Sequence, residues 1–305
     1  MSAVFNSERG VGRYALIAGA QIAVGAAAIF ARFALGGAPP LAVAAARLVI
    51  ASAALLLIAG AGHRERTRVA PEHRGIFIAA GIALAIHFAT WIWSLQYTSV
   101  AISTLLVATT PIWTAAYDAV AMRRGLSIAA WGAFAIGAAG LVLVVGFNSA
   151  RPPVAGHEPL GDGLAVAGAI AIGAYFILVR RVRTAYGTRA IVTRTYTWAA
   201  VALVIAAAAA RQPPPPLADA RAWGGILAMA IVSQLLGHTA LNAALRWFSP
   251  SAVAFTTLLE PVFAAVLAFL FFGEGLTAAA LCGGVLILAA IGAFLREEAQ
   301  RPVPA

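Results

Sequence analysis

A glutamate beside a proline, deep in an apolar run, is the residue pair in this chain best suited to chemistry. Glu260 precedes Pro261 in the stretch 250–272, and Pro261 falls roughly 16 Å into it at 1.5 Å rise per residue. An ionised carboxylate at that depth costs several kcal/mol, so it must be paired or protonated. Such a group can take up and release a proton, or bind an amine. The alternative is a structural ion pair, with Arg47 as the candidate partner. Asp118 is a weaker candidate, because it falls near the end of its helix, where it could face headgroups or Arg123.

Two further patterns point to the same depth. Pro111 and Pro261 occupy matching places in their runs. A proline inside a helix frees the carbonyl four residues back, here Val107 and Thr257, and that carbonyl needs a partner from protein, water or substrate. A packing kink satisfied by threonine hydroxyls is the plainer reading. The second pattern is a pair of polar stripes. Gln234, His238 and Asn242 follow at spacing four, and His87, Thr90, Trp91, Ser94 and Thr98 at three and four. Each set falls on one helical face. Hydrogen-bonding stripes do not face lipid cheaply, so they are expected to line a cavity between helices or to bond one helix to the next.

Gln21 and Tyr175 interrupt otherwise apolar runs and are expected to reach the same cavity. Trp113 and Trp198 could stack on cargo or simply pack. Arg47, about 10 Å from the nearer end of its run, could snorkel outward, pair with a carboxylate or bind an anion. No catalytic or metal set emerges. HExxH is absent, and His87 and His238 fall on different helices. The single cysteine, Cys282, allows no intrachain disulfide. With no GxxxxGK[ST] motif there is no ATP site, and no cofactor is expected.

Residues at such depths need long apolar elements to hold them. The 305 residues are 62% hydrophobic and 10% charged, with mean hydropathy +0.90, more apolar surface than a water-soluble domain can hide. The apolar residues come in runs of about 20, which fits helices crossing ~30 Å of hydrocarbon and excludes a β-barrel. The predicted fold is an all-α polytopic membrane protein with ten transmembrane helices, near 13–35, 40–60, 75–97, 100–122, 127–147, 161–181, 189–210, 222–245, 250–272 and 276–295. The first is read as a retained helix, not a removed signal. Gly36 to Pro40, Arg64 to Arg74, Arg151 to Gly163 and Pro213 to Pro216 punctuate the runs.

The net charge of +10 is carried by 21 basic residues, all arginine. Most fall in short gaps between runs, which encodes topology and not a nucleic-acid surface. With the N-terminus inside, only Arg32, Arg151, Arg211 and Arg221 fall on the outer side, and Arg47 and Arg194 fall within spans. Both termini are therefore expected to be cytoplasmic.

The two halves, 13–147 and 161–295, are related. A shift of 150 aligns Ser99 with Ser249, Pro111 with Pro261 and Gly125 with Gly275; a shift of 148 aligns Gly25 with Gly173 and Arg32 with Arg180. Five spans per half is an odd number, so the second copy must be inverted. Arg123-Arg124-Gly125 becomes Gly273-Glu274-Gly275 where the loop changes sides. Inverted repeats suit alternating access.

Two stretches carry a resemblance. His87 to Ala101 followed by Thr110-Pro111-Ile112-Trp113, and Leu259-Glu260-Pro261-Val262-Phe263 followed by Phe272 to Leu276, resemble the EamA family of the drug/metabolite transporter superfamily. The likeness covers nearly the whole chain as two repeats. It implies ten helices, alternating access and export of amino acids or other metabolites, often coupled to protons. Arg124 departs from the glutamate common at that turn.

The expectation is thus a secondary transporter of a bacterial-type inner membrane, not an enzyme, handling a small-molecule substrate amid membrane lipid with protons as coupling ion. The architecture admits a homodimer. A non-transporting scaffold or an intramembrane enzyme is the rival reading; an enzyme would cluster acid–base residues near one surface, and a scaffold would need no paired polar stripes.

Overall fold

A computed structural model describes residues 2–61, 68–121, 123, 125–145, 156–272 and 277–300. Among the described residues the secondary structure is helical throughout. The helices are α1 (Ser2–Gly25), α2 (Ala27–Leu35), α3 (Pro40–Ala61), α4 (Pro71–Tyr97), α5 (Val100–Val107), α6 (Thr110–Ala121), α7 (Ile128–Val145), α8 (Glu158–Val182), α9 (Thr188–Ala209), α10 (Ala220–Ala228), a π-helical segment (Met229–His238), α11 (Thr239–Ala244), α12 (Pro250–Thr256), α13 (Leu259–Phe272) and α14 (Ala278–Gln300).

Among the described residues, eight stretches are long and apolar enough to cross a membrane: Gly12–Leu35, Pro40–Ile58, Pro71–Tyr97, Glu158–Val182, Thr188–Ala209, Ala220–Ala244, Pro250–Leu267 and Ala278–Ala299. Ile128–Val144 is apolar but shorter. The expected fourth span is not one helix but two, α5 and α6, parted at Ala108–Thr109. The expected ninth parts likewise at Thr257–Leu258. Both breaks fall just before the prolines, whose missing N–H and ring cannot continue the ladder. The turns at Arg64 and Arg66, at Arg124, at Arg151 and at Gly273 to Leu276 lie outside the described residues.

Distribution of polarity identifies the solvent. Arg47, Gln21, Gln234 and Asn242 are each 0% exposed, whereas Leu57, Leu270 and Val285 are 75%, 66% and 66% exposed. Polar groups turned inward and large aliphatics turned outward make a multi-pass membrane protein. Local chemistry sets the ends of the elements. Ser99 and Ser249 each begin a helix, accepting from Ile102 N at 3.1 Å and Ala252 N at 3.0 Å. Gln212, just before the polyproline link, accepts from Leu41 N at 2.8 Å and caps α3.

Small residues allow the close crossings. A Cβ on Gly140 of α7 would meet the Gly283 carbonyl of α14 at 2.7 Å, and one on Gly283 would meet the Gly140 carbonyl at 2.5 Å. Elsewhere α4 packs on α8 and α9, α3 on α9 and the π segment, α1 on the π segment and α13, α2 on α10, and α6 on α8 and α12.

Candidate functional site

A polar group fills the interior where α3, α4, α8, α9 and the π segment meet. Arg47 comes from α3, inside a run of Ala and Leu. It does not snorkel. Its guanidinium donates to Gln234 Oε1 at 2.7 Å, approaches Met229 Sδ at 4.0 Å and lies 4.0 Å over the Phe88 ring. The expected alternative, a pair with Glu260, is not formed; Gln234 holds the guanidinium instead.

The stripe Gln234, His238, Asn242 is buried, but it fans out over three neighbours. Gln234 meets α3, His238 lies edge-on to Phe88 of α4 at 5.1 Å, and Asn242 accepts from Tyr175 Oη of α8 at 2.8 Å. Asn242 also donates to the His238 carbonyl at 2.8 Å. The reason is the π segment, whose i→i+5 ladder is wider than an α-turn, so residues four apart no longer overlie as in an α-helix. Tyr196 of α9 reaches the Gln234 carbonyl at 3.4 Å and Thr239 Oγ1 at 3.3 Å.

The α4 stripe divides. His87 faces inward, with Nδ1 2.9 Å from the Gly168 carbonyl of α8 and its ring 6.3 Å from that of His238. Trp91 stacks on His87 at 6.2 Å and 4°. Thr90 and Ser94 instead bond back to their own helix, Thr90 to the Ile86 carbonyl at 2.8 Å and Ser94 to the Trp91 carbonyl at 2.7 Å. Ser94 also meets Ser103 of α5 at 2.7 Å. They tie α4 to itself and its neighbour. Thr98 is buried where α4 ends.

A second group gathers at the break between α12 and α13. Gln21 Nε2 of α1 donates to Thr256 Oγ1 at 2.7 Å. Glu260 and Pro261 open α13, and Gly25 of α1 lies against the Glu260 backbone. At the matching break, Pro111 is buried and the Val107 carbonyl accepts from Thr110 Oγ1 at 2.7 Å. The threonine therefore satisfies that freed carbonyl, and the Thr257 carbonyl is met by Glu260 N at 2.9 Å. Helix α1 packs against both the π segment and α13: a Cβ on Gly237 of the π segment would meet Val24 at 2.7 Å, and the next residue, Gly25, lies against Glu260.

Trp113 and Trp198 are 37% and 42% exposed and stand outside both groups. Asp118 does not face solvent alone; it accepts from Ser251 Oγ at 2.5 Å. It borders a cavity of about 620 Å3 with Arg13, Tyr117, Arg180, Arg181, Arg246 and Phe248 among its walls, and no other candidate residue lines it. Just beyond α8, burial first, then Arg246 and Arg180, hold the Arg183 guanidinium below its ordinary value. Among the described residues no group of three or more His, Cys, Asp or Glu could hold a metal ion.

Sequence reasoning passed over Phe88, Thr195, Tyr196, Met229 and Thr256. One signal was present: Thr193 to Thr197 is a polar run inside an apolar span. Phe88 and Met229 carry no such mark.

The family model for EamA-like transporters matches residues 13–146 and 159–296. The pseudopaline exporter CntI, from two strains of Pseudomonas aeruginosa, is 26% identical over 233 residues, covering 75% of this chain and 78% of the exporter. A crystal structure with 15% identity superposes with a TM-score of 0.76 over 95% of this chain and 98% of that one.

Proposed function

Because the chain belongs to the EamA-like transporter family, we propose that it exports small organic metabolites, amino acids among them, by alternating access driven by the proton gradient of a bacterial-type inner membrane. Ten spans in two inverted five-helix units, with both termini cytoplasmic, carry the movement. The similarity to an exporter supports the direction.

The observation that carries the reading is the pair of interrupted helices. The breaks at Ala108–Thr109 and Thr257–Leu258 occupy matching positions of the two halves, and transporter sites are built at such breaks. The packing supports two inverted units. The contact of α4 with α8 is answered by that of the π segment with α1, and α4 with α9 by the π segment with α3. The contact of α6 with α8 is answered by that of α13 with α1, while α3 with α9 and α7 with α14 each join equivalent helices. Two halves with equivalent contacts can exchange conformations, which opens the centre to one side and then the other.

Glu260 is the proton carrier in this reading. It stands at one break, where Thr110 stands at the other, so a single titratable carboxylate breaks the symmetry. Protonated, it lets the bundle close around cargo; ionised, it requires the water of an open side. The substrate cavity of this reading is lined by Gln21, His87, Trp91, Pro111, Tyr175, Gln234, His238, Asn242 and Pro261, with Thr90 and Ser94 holding α4.

The test is uptake of a pooled, labelled set of amino acids and other metabolites by proteoliposomes, with and without an imposed pH gradient. Gradient-dependent accumulation of a compound is the expected result. Correctly folded protein that accumulates nothing and exchanges nothing would sink the reading in favour of a scaffold.

A further inference from the structure

The buried guanidinium of Arg47 has no carboxylate to neutralise it among the described residues. Its contacts are one neutral amide oxygen, a thioether and the face of Phe88. A guanidinium presents five N–H groups, and Nε of Arg47 has no partner. The neighbouring polar groups of the π segment are not satisfied either. Gln234 gives its Oε1 to Arg47, which leaves its Nε2 unpartnered, and Ser233 Oγ and His238 Nδ1 are unpartnered as well. All four residues are between 0% and 4% exposed. Buried polar groups are ordinarily paired, and a buried charge without a counter-charge is strongly unfavourable.

The imbalance has a definite sign. The Arg47 and Gln234 groups left over are donors and the guanidinium is positively charged, so an anion with several acceptor positions completes the group. A carboxylate has that inventory, and its planar fork matches a guanidinium. The location also suits cargo. Arg47 and Phe88 come from the first half, and Met229 to His238 from the second, so the group lies between the halves. The backbone there is π-helical, a form found often at functional sites. Arg47 is 0% exposed, so the site is occluded in this conformation and fills when the surrounding helices part.

We propose that Arg47, with Gln234 and His238, is the binding site for a carboxylate group of the transported solute. The proposal rests on the transport reading for the word cargo, but not for the binding itself.

The experiment is thermal unfolding of the purified full chain in lipid nanodiscs. Sodium acetate, glutamate, citrate and phosphate are each compared with sodium chloride at matched ionic strength. A ligand that binds the folded state alone raises its unfolding temperature. The expected result is a rise on the order of 2 °C or more with at least one carboxylate, absent in Arg47→Met. Without added anion, Arg47→Met should unfold at or above the wild-type temperature, since it removes an uncompensated charge. Should that variant not fold, Gln234→Ala takes its place, with apparent affinity reduced about tenfold. No carboxylate response in the wild type, a response to phosphate alone, or a response retained in the variants would overturn the site. A carboxylate response in protein that moves nothing across vesicles would leave the site standing and remove the transport reading. Transport of solutes lacking any acidic group, with no carboxylate response, would do the reverse.

Discussion

Gly25 lies directly on the backbone of Glu260. A Cβ at position 25 would stand 3.2 Å from the Glu260 carbonyl oxygen and 2.9 Å from Phe263 Cβ. A Cβ on the equivalent glycine of the other half, Gly173, would meet Thr114 Cγ2 at 3.2 Å and Thr110 Cγ2 at 3.7 Å. The first contact involves backbone and a Cβ, neither of which can yield; the second involves methyl groups, which can. Gly25→Ala is therefore expected to cost about 1–3 kcal/mol and Gly173→Ala clearly less. Unfolding temperatures of the two variants, measured side by side, check the ranking; equal losses would contradict it.

Gln21 separates function from stability. Its one amide bond, to Thr256 at 2.7 Å, is an interhelical bond of a kind worth about 0.6 kcal/mol on average in membranes. Gln21→Leu should leave the unfolding temperature within about 2 °C of wild type while cutting uptake at least tenfold. Uptake at the wild-type rate would remove Gln21 from the path.

The crossing of α7 and α14 answers in the opposite sense. Alanine at Gly140 or Gly283 drives a methyl into a backbone carbonyl of the facing helix, at 2.7 Å and 2.5 Å. Each is expected to destabilise by about 1–3 kcal/mol. The two substitutions share one contact, so the double variant should lose less than the sum. Additive losses would mean that the helices meet elsewhere.

How legible was this in the residues alone? The breaks were, because Pro111 and Pro261 fix where a helix cannot continue. The burial of Gln21, His87 and the stripe on the eighth run was legible too, since polar side chains in a long apolar run have nowhere else to go. The direction each side chain takes was not. Spacing four places the stripe on one face of an α-helix, and the π segment turns it toward three partners. Nothing in Met229 to His238 announces a π ladder, which depends on how neighbouring helices seat against it. The partner of Arg47 was missed for a related reason. Charge suggested Glu260, whereas the fold brings α3 against the π segment and leaves the carboxylate across α1.

Paired flux recording checks the role of Glu260 as the proton carrier. Cargo and proton movement are followed in the same proteoliposomes, for the wild type and Glu260→Gln. Cargo leaving one side is expected to drive protons the opposite way, and Glu260→Gln is expected to abolish gradient-driven accumulation while inserting normally and retaining its fold. Cargo movement without protons, or full proton-driven accumulation by Glu260→Gln, would contradict it.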